Sequence, residues 1–168
     1  MDPESQDKDV IMMRLLMFTL FFLGVASRPL AGEAPASVDG AITIDTLKAR
    51  ELFEQGTTFI DVRNRNKWRW GRVKGAHHFD LRSTFSLLRY EGFVERDDPV
   101  VIYGNGPHSM RAAMATYMAS AWGYKNIYYY RDGYFSWLAA DFPADLGKPS
   151  SNLEAAIFGR HSECSSQC

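Results

Sequence analysis

Val100-Val101-Ile102-Tyr103, apolar and mostly β-branched, runs through Gly104-Asn105-Gly106-Pro107-His108-Ser109 into an Ala- and Met-rich stretch that opens at Met110. A strand, a short glycine loop and a helix N-terminus, in that order, read equally as an anion site or as a purely structural connection. The first helical N–H groups are unpaired and the helix end carries a partial positive charge. Gly104 and Gly106 permit the curvature that turns several N–H groups inward. Pro107 removes one donor, and Arg111, in the first helical turn, adds a positive charge. The pattern GxxxxGK[ST] is absent, so this is not a nucleotide-phosphate loop of that type. Ser109 is the loop's only hydroxyl and lacks an activating base, because His108 beside it points elsewhere in a curled loop.

Three further groups could do chemistry. Asp61 and Arg63 flank the end of a second apolar run, Thr57–Val62. Residues 63–74 hold four Arg, two Lys and two Trp, and Arg and Trp dominate interaction hot spots. A solvated loop with one Trp packed inward is the commoner reading of such residues. Finally, His161, Cys164 and Cys168 place three soft ligands within eight residues. That set falls short of a closed tetrahedral zinc site, and no metal or cofactor is expected. The two cysteines, the only ones in the chain, could pair as a disulfide or act as a mobile dithiol.

The elements that must position these groups alternate strand and helix. Ala41–Ile44 reads as a strand, and a helix follows over TLKARELFEQ, capped by Asp45 or Thr46 and ended by Gly56. Thr57–Val62 and Val100–Tyr103 read as buried strands. His77–Leu81 is a short strand, Ser83–Tyr90 a short helix, and Arg63–Gly75 a loop. Met110–Trp122 reads as a helix apolar nearly all round, hence buried on most faces. Asn126–Tyr130 and Tyr134–Ala140 supply a last strand and helix. The fold class is α/β, a central parallel sheet with helices on both faces. In such sheets ligands bind at the carboxyl ends of strands, where Asp61 and Gly104 lie.

The chain has 168 residues, 46% hydrophobic and 23% charged, enough for one globular domain. A formal net charge of −1 gives no global pull toward nucleic acid. Leu15–Ser27 carries no charge, follows Arg14 and ends in small residues. It is too short to span a bilayer as a helix and reads as a secretory signal. The organisation expected is a leader over 1–31, an Ala/Pro/Ser-rich linker over 32–40, a folded domain over 41–146 and a polar tail over 147–168. Residues 152–158 in that tail could form one or two helical turns. The leader implies an exported protein, in the periplasm, that meets the membrane only through it; a monomer is expected.

From about Ile42 to Pro143 the sequence resembles a rhodanese domain. Phe59-Ile60-Asp61-Val62-Arg63, then Gly71-Arg72-Val73-Lys74-Gly75-Ala76-His77, is similar to that family's "DVR … GxIxGA" pattern. Val100–Tyr103 with its loop and helix is similar to the family's active-site strand, loop and helix. Gly123-Tyr124 … Asp132-Gly133 … Trp137 … Pro143 is similar to its closing motif. The resemblance implies a cysteine at the first loop position, whose thiolate carries a sulfane sulfur; here that position is Gly104. A second loop cysteine of some relatives corresponds to Ser109. The resemblance also implies that Asp61 and Arg63 hold loops together, and that an arginine aimed at the donor survives as Arg111.

Glycine is no nucleophile. The expected function is therefore a catalytically dead, exported rhodanese-like module in sulfur or redox metabolism. It would hold a small oxyanion or a protein partner through residues 104–109, Arg111 and the nearby Arg/Trp loop. The alternative is a sulfurtransferase or thiol redox enzyme working through Cys164 and Cys168. A phosphatase of the same fold ranks last, since its mechanism also requires a loop cysteine.

Overall fold

A computed structural model describes residues 32–90 and 92–147. Five parallel strands form the sheet: β1 (Ile42–Ile44), β2 (Thr58–Asp61), β4 (His77–His78), β5 (Val100–Tyr103) and β6 (Ile127–Tyr130). Their order across it is β1-β6-β5-β2-β4. Register pairs Asp61 with Tyr103, and Tyr103 with Tyr130. The carboxyl ends of the three central strands therefore lie side by side. All four residues of β5 are buried, as a continuous apolar run in the middle of a two-faced sheet requires.

Helices cover both faces, as expected. On one face α1 (Thr46–Glu54) and α4 (Gly133–Ala139) pack with Ala49, Leu52, Phe59, Tyr103 and Trp137. On the other, α3 (Met110–Ala121) and a 3₁₀ turn (Phe85–Arg89) enclose Ile60, Val62, Phe85, Ile102 and Ala115. Asp45 caps α1, its carboxylate accepting from the Lys48 N–H at 2.7 Å. Trp137 is fully buried and its indole donates to the Pro143 carbonyl. Among the described residues no helix is long and apolar enough to cross a membrane.

Three sequence expectations need correction. Residues 32–40 are not a free linker. Ala34 and Val38 are buried in the core, and the Ala34 N–H donates to the Pro107 carbonyl at 2.7 Å. Thr43 and Tyr129 also donate side-chain hydroxyls to the carbonyls of Ala36 and Pro35. Two small apolar side chains spaced four apart suffice to dock the strap; composition alone hides them. Residues 63–75 are not a single loop, since they contain α2 (Arg65–Trp70) and β3 (Gly71–Val73). Asn64 starts α2 by accepting from the Lys67 N–H at 2.9 Å, an N-cap that substitutes for a missing apolar face. β3 pairs antiparallel with β7 (Ala144–Leu146), a strand too short to show alternation. Lastly, α3 is not buried all round: Met110, Met114 and Tyr117 lie about half or more in solvent.

Candidate functional site

The loop after β5 is held from three sides. The first two N–H groups beyond Gly133 in α4 serve it: Tyr134 donates to the Gly104 carbonyl at 2.9 Å, and Phe135 to the Asn105 carbonyl at 3.1 Å. Across a trans peptide the N–H points opposite to the C=O, and no peptide here is cis. The N–H groups of Asn105 and Gly106 are therefore turned away from α4. With that of His108, they donate to no backbone or side-chain acceptor among the described residues. Ser109 N–H donates to the Gly106 carbonyl at 3.0 Å and closes the turn. From outside, Ala34 pins the Pro107 carbonyl.

This arrangement requires Gly133. Its φ of +67° is left-handed, and a Cβ there would lie 2.7–2.8 Å from Gly104 O, Gly106 N and Asn105 C. Only a glycine lets the start of α4 come so close to the loop backbone. Gly104 is a different case. Its φ is not in the left-handed region. A Cβ would meet Ala112 Cβ at 3.5 Å, Ala112 N at 3.6 Å and Ser109 Oγ at 3.7 Å, all ordinary contacts. A side chain at this position would thus leave the end of β5 toward the first turn of α3. Ser109 is the N-cap residue of α3, yet its hydroxyl makes no capping bond. Beside the loop opens a pocket of about 400 Å³, walled by Asn105, His108, Ser109, Asp132, Phe135 and Ser136 among others. Asn105 Oδ1 is buried without a partner.

The arginines around the loop are already committed. Arg111 does not supply a free cation: its guanidinium donates to Asp80 Oδ1 at 2.9 Å and to the Val62 carbonyl at 3.2 Å. The family-like role expected for it is therefore occupied by an internal partner. Burial pushes the Asp80 carboxyl up, but the Arg82 backbone N–H and the Arg111 guanidinium outweigh it and hold the group below its ordinary value. Arg131 is tied to Glu33 at 2.6 Å and, through two N–H groups, to the Ala34 carbonyl at 3.1 Å. The hydrogen bond from Arg131 holds the Glu33 carboxyl below its usual range. Asp132, on the pocket wall, accepts from the Thr46 hydroxyl at 3.3 Å. Backbone N–H groups and the helix end are left as the attraction for an anion.

Asp61 and Arg63 sit beneath, fully buried. Arg63 Nη2 meets Asp61 Oδ2 at 2.6 Å, Arg63 Nε lies 3.0 Å from Oδ1, and the Tyr103 hydroxyl donates to Oδ2 at 2.8 Å. Arg63 also donates to the Gly71 carbonyl and lies 4.1 Å from the Tyr134 ring centroid. The pair thereby ties the end of β2 to β3 and to α4, shielded from solvent. Burial and the neighbouring Asp61 charge raise the Tyr103 hydroxyl well above its ordinary value, so it stays a donor. The strap residues Glu33 and Ala34, with Arg131 and Gly133, were missed as site residues by sequence reasoning. Their signal is long-range contact with the loop, which a local pattern cannot carry. His161, Cys164 and Cys168 lie outside the described residues, as do the leader and residues 152–158.

Comparison with known proteins matches residues 45–140 to the rhodanese-like domain. The thiosulfate sulfurtransferase GlpE of Haemophilus influenzae is 29% identical over 98 residues, spanning 58% of this chain and 89% of that protein. Thiosulfate sulfurtransferase 18 of Arabidopsis thaliana is 26% identical over 134 residues, 71% of this chain and 96% of that protein. Among solved structures, the polysulfide-sulfur transferase homodimer of Wolinella succinogenes aligns with a TM-score of 0.55 at 25% identity, over 67% of this chain and 82% of that one. The human single-domain sulfurtransferase TSTD1 aligns in fold at 0.54 and 24% identity, over 59% and 96%.

Proposed function

Since the chain belongs to the rhodanese-like domain family, related to sulfurtransferases, we propose that it is a non-catalytic member. In this reading it holds a small oxyanion, or the anionic group of a partner protein, at the loop of residues 104–109. One observation carries it. The loop keeps its backbone cradle while the position at the end of β5, where a side chain would face the first turn of α3, is glycine. No sulfur nucleophile exists between residues 32 and 147, and a serine hydroxyl does not carry sulfane sulfur. The unpaired N–H groups of Asn105, Gly106 and His108 favour negative charge, by about 0.3–1 kcal/mol for each helix-end contact and more where partly buried. Thiosulfate, sulfate and a partner's persulfide or carboxylate share the required chemistry.

Two measurements on the full chain test this. Thiosulfate and cyanide should yield no thiocyanate, and Cys164→Ser with Cys168→Ser should change nothing. Thermal stability should rise with thiosulfate or sulfate beyond a chloride control, since a ligand at about 100 times its dissociation constant adds about 2.7 kcal/mol. Turnover that vanishes with the tail cysteines would instead establish the thiol enzyme. Export through Leu15–Ser27 is part of the same proposal. In this reading the mature chain begins between about Ser27 and Ala36, a start that N-terminal sequencing of the natively expressed protein reads directly.

A further inference from the structure

Charge in this domain is segregated. Residues 32–147 hold fourteen Lys and Arg against fourteen Asp and Glu, yet residues 62–79 hold six cations and no acid. Most cations elsewhere are paired at short range, among them Lys48, Arg50, Arg111, Lys125 and Arg131. Within the basic segment, Arg63 is buried on Asp61 and Arg72 lies 3.5 Å from Asp145. Arg65, Lys67, Arg69 and Lys74 remain, all exposed and without a carboxylate partner among the described residues. Trp70, at the end of α2, is 64% exposed, an uncommon state for so large an apolar surface.

The face is also rigid. Trp68 stacks on His78 with centroids 4.9 Å apart, and Arg72 lies 4.3 Å over Trp68. His78 Nε2 donates to the Arg63 carbonyl at 2.9 Å, and Trp70 accepts through its carbonyl from the Gly147 N–H at 2.9 Å. The buried Asp61–Arg63 pair ties the end of α2 down through the Gly71 carbonyl. Four uncompensated cations and an exposed indole therefore lie along α2 and its flanks, on a fixed support. That is the anatomy of a recognition patch, an aromatic anchor with a polar rim.

We propose that α2 and its flanks form a docking surface for an acidic segment of a partner protein, with an apolar side chain of that segment covering Trp70. Charge complementarity selects this occupant: an acidic segment offers carboxylates to each of the four cations and an apolar group to the indole. A nucleic acid fits less well. A helix of six residues is only about 9 Å long, and the rest of the domain carries an excess of acid that would repel a longer polyanion. An anionic lipid surface would meet a single indole on α2 rather than an apolar face. Because α2 follows the carboxyl end of β2 and the cradle follows that of β5, neighbouring strands in the sheet, both surfaces lie at one end of the sheet. The proposal stands whether or not the cradle binds an anion.

The test uses the full chain and a fluorescently labelled Glu-rich peptide with one central Leu, read by anisotropy at low salt. Binding should saturate, weaken about tenfold as ionic strength rises to physiological values, and fall about tenfold in Arg65→Gln/Lys67→Gln/Arg69→Gln. Trp70→Ser should weaken it as well. These side chains make no hydrogen bond within the described residues, so the variants should melt as the wild type does. Should the triple variant unfold, Lys74→Gln and Trp70→Ser carry the same comparison. A duplex DNA and phosphatidylglycerol vesicles serve as competing probes. No peptide binding, binding unchanged by the substitutions, or tighter binding to DNA or vesicles overturns the proposal.

Discussion

Gly104→Cys, in a background of Cys164→Ser and Cys168→Ser, tests whether the loop is a working cradle. The new Cβ makes only contacts of 3.5–3.7 Å, and the backbone there is not left-handed. Replacing glycine at such a site restricts the unfolded chain and stabilises by about 0.4–1 kcal/mol, so the variant should fold. Its sulfur would leave a Cβ that is 3.6 Å from Ala112 N, within the first turn of α3. A helix N-terminus favours the thiolate by up to about 2 kcal/mol when partly buried, and one pKa unit corresponds to about 1.4 kcal/mol. The thiol should therefore titrate about one unit below its ordinary value of about 8.5. A larger drop is not expected, because Arg111 is held by Asp80 and Arg131 by Glu33.

The pH dependence of alkylation by iodoacetamide measures that shift, and mass spectrometry after thiosulfate treatment measures persulfide on the peptide that carries the introduced thiol. Thiolate attack on the sulfane sulfur forms the new S–S bond and releases sulfite. The expected result is a lowered pKa with slow persulfide formation, slow because no free guanidinium orients the donor. A folded variant whose thiol titrates at or above about 8.5 would refute the reasoning, since the unpaired N–H groups would then not converge on this position.

Asp61→Asn should leave the Arg63 charge buried and uncompensated; urea unfolding should show a loss of about 3–5 kcal/mol, a large part of a typical domain's stability. Gly133→Ala forces a left-handed alanine and a Cβ into the loop backbone. A loss of at least about 1–2 kcal/mol is expected, with amide shifts in residues 104–106 reporting the displaced loop. On the alkaline side, burial raises the hydroxyls of Tyr103, Tyr124, Tyr129 and Tyr134, and that of Tyr130 to about 12. Their folded-state pKa values exceed the unfolded one, so this contribution to stability is full below about pH 10 and is lost as pH rises further. Ultraviolet titration should show these phenols ionising together with cooperative unfolding, not before it.

What the sequence made legible follows from the range of the interactions involved. β5, its loop and α3 are contiguous, and their order is written locally as a β-branched run, two glycines and an Ala-rich helix. Asp61 and Arg63 could be placed at a strand end for the same reason. The features that decide the loop's chemistry are instead contacts between distant residues. Ala34 reaches Pro107, Glu33 reaches Arg131, and Asp80 reaches Arg111, none of which has a local period to betray it. The expected cation at Arg111 failed on this ground: its position in the first turn of α3 was right, but its partner lies 31 residues away.

The same argument explains why the basic segment was legible in composition and illegible in shape. An Asn cap and two tryptophans carry no helical apolar repeat, and α2 exists because Asn64, the buried Arg63 and the β3–β7 pair fix both of its ends. Segregation of charge within an otherwise neutral domain therefore survives folding. The ion pairs that neutralise the cradle's arginines use Asp80 and Glu33, from distant parts of the chain, and among the described residues no carboxylate comes within ion-pair distance of Arg65, Lys67, Arg69 or Lys74. If the proposed docking holds, the free cations of α2 and its flanks would supply the main electrostatic attraction for a partner, and the loop would meet whatever anionic group that partner brings.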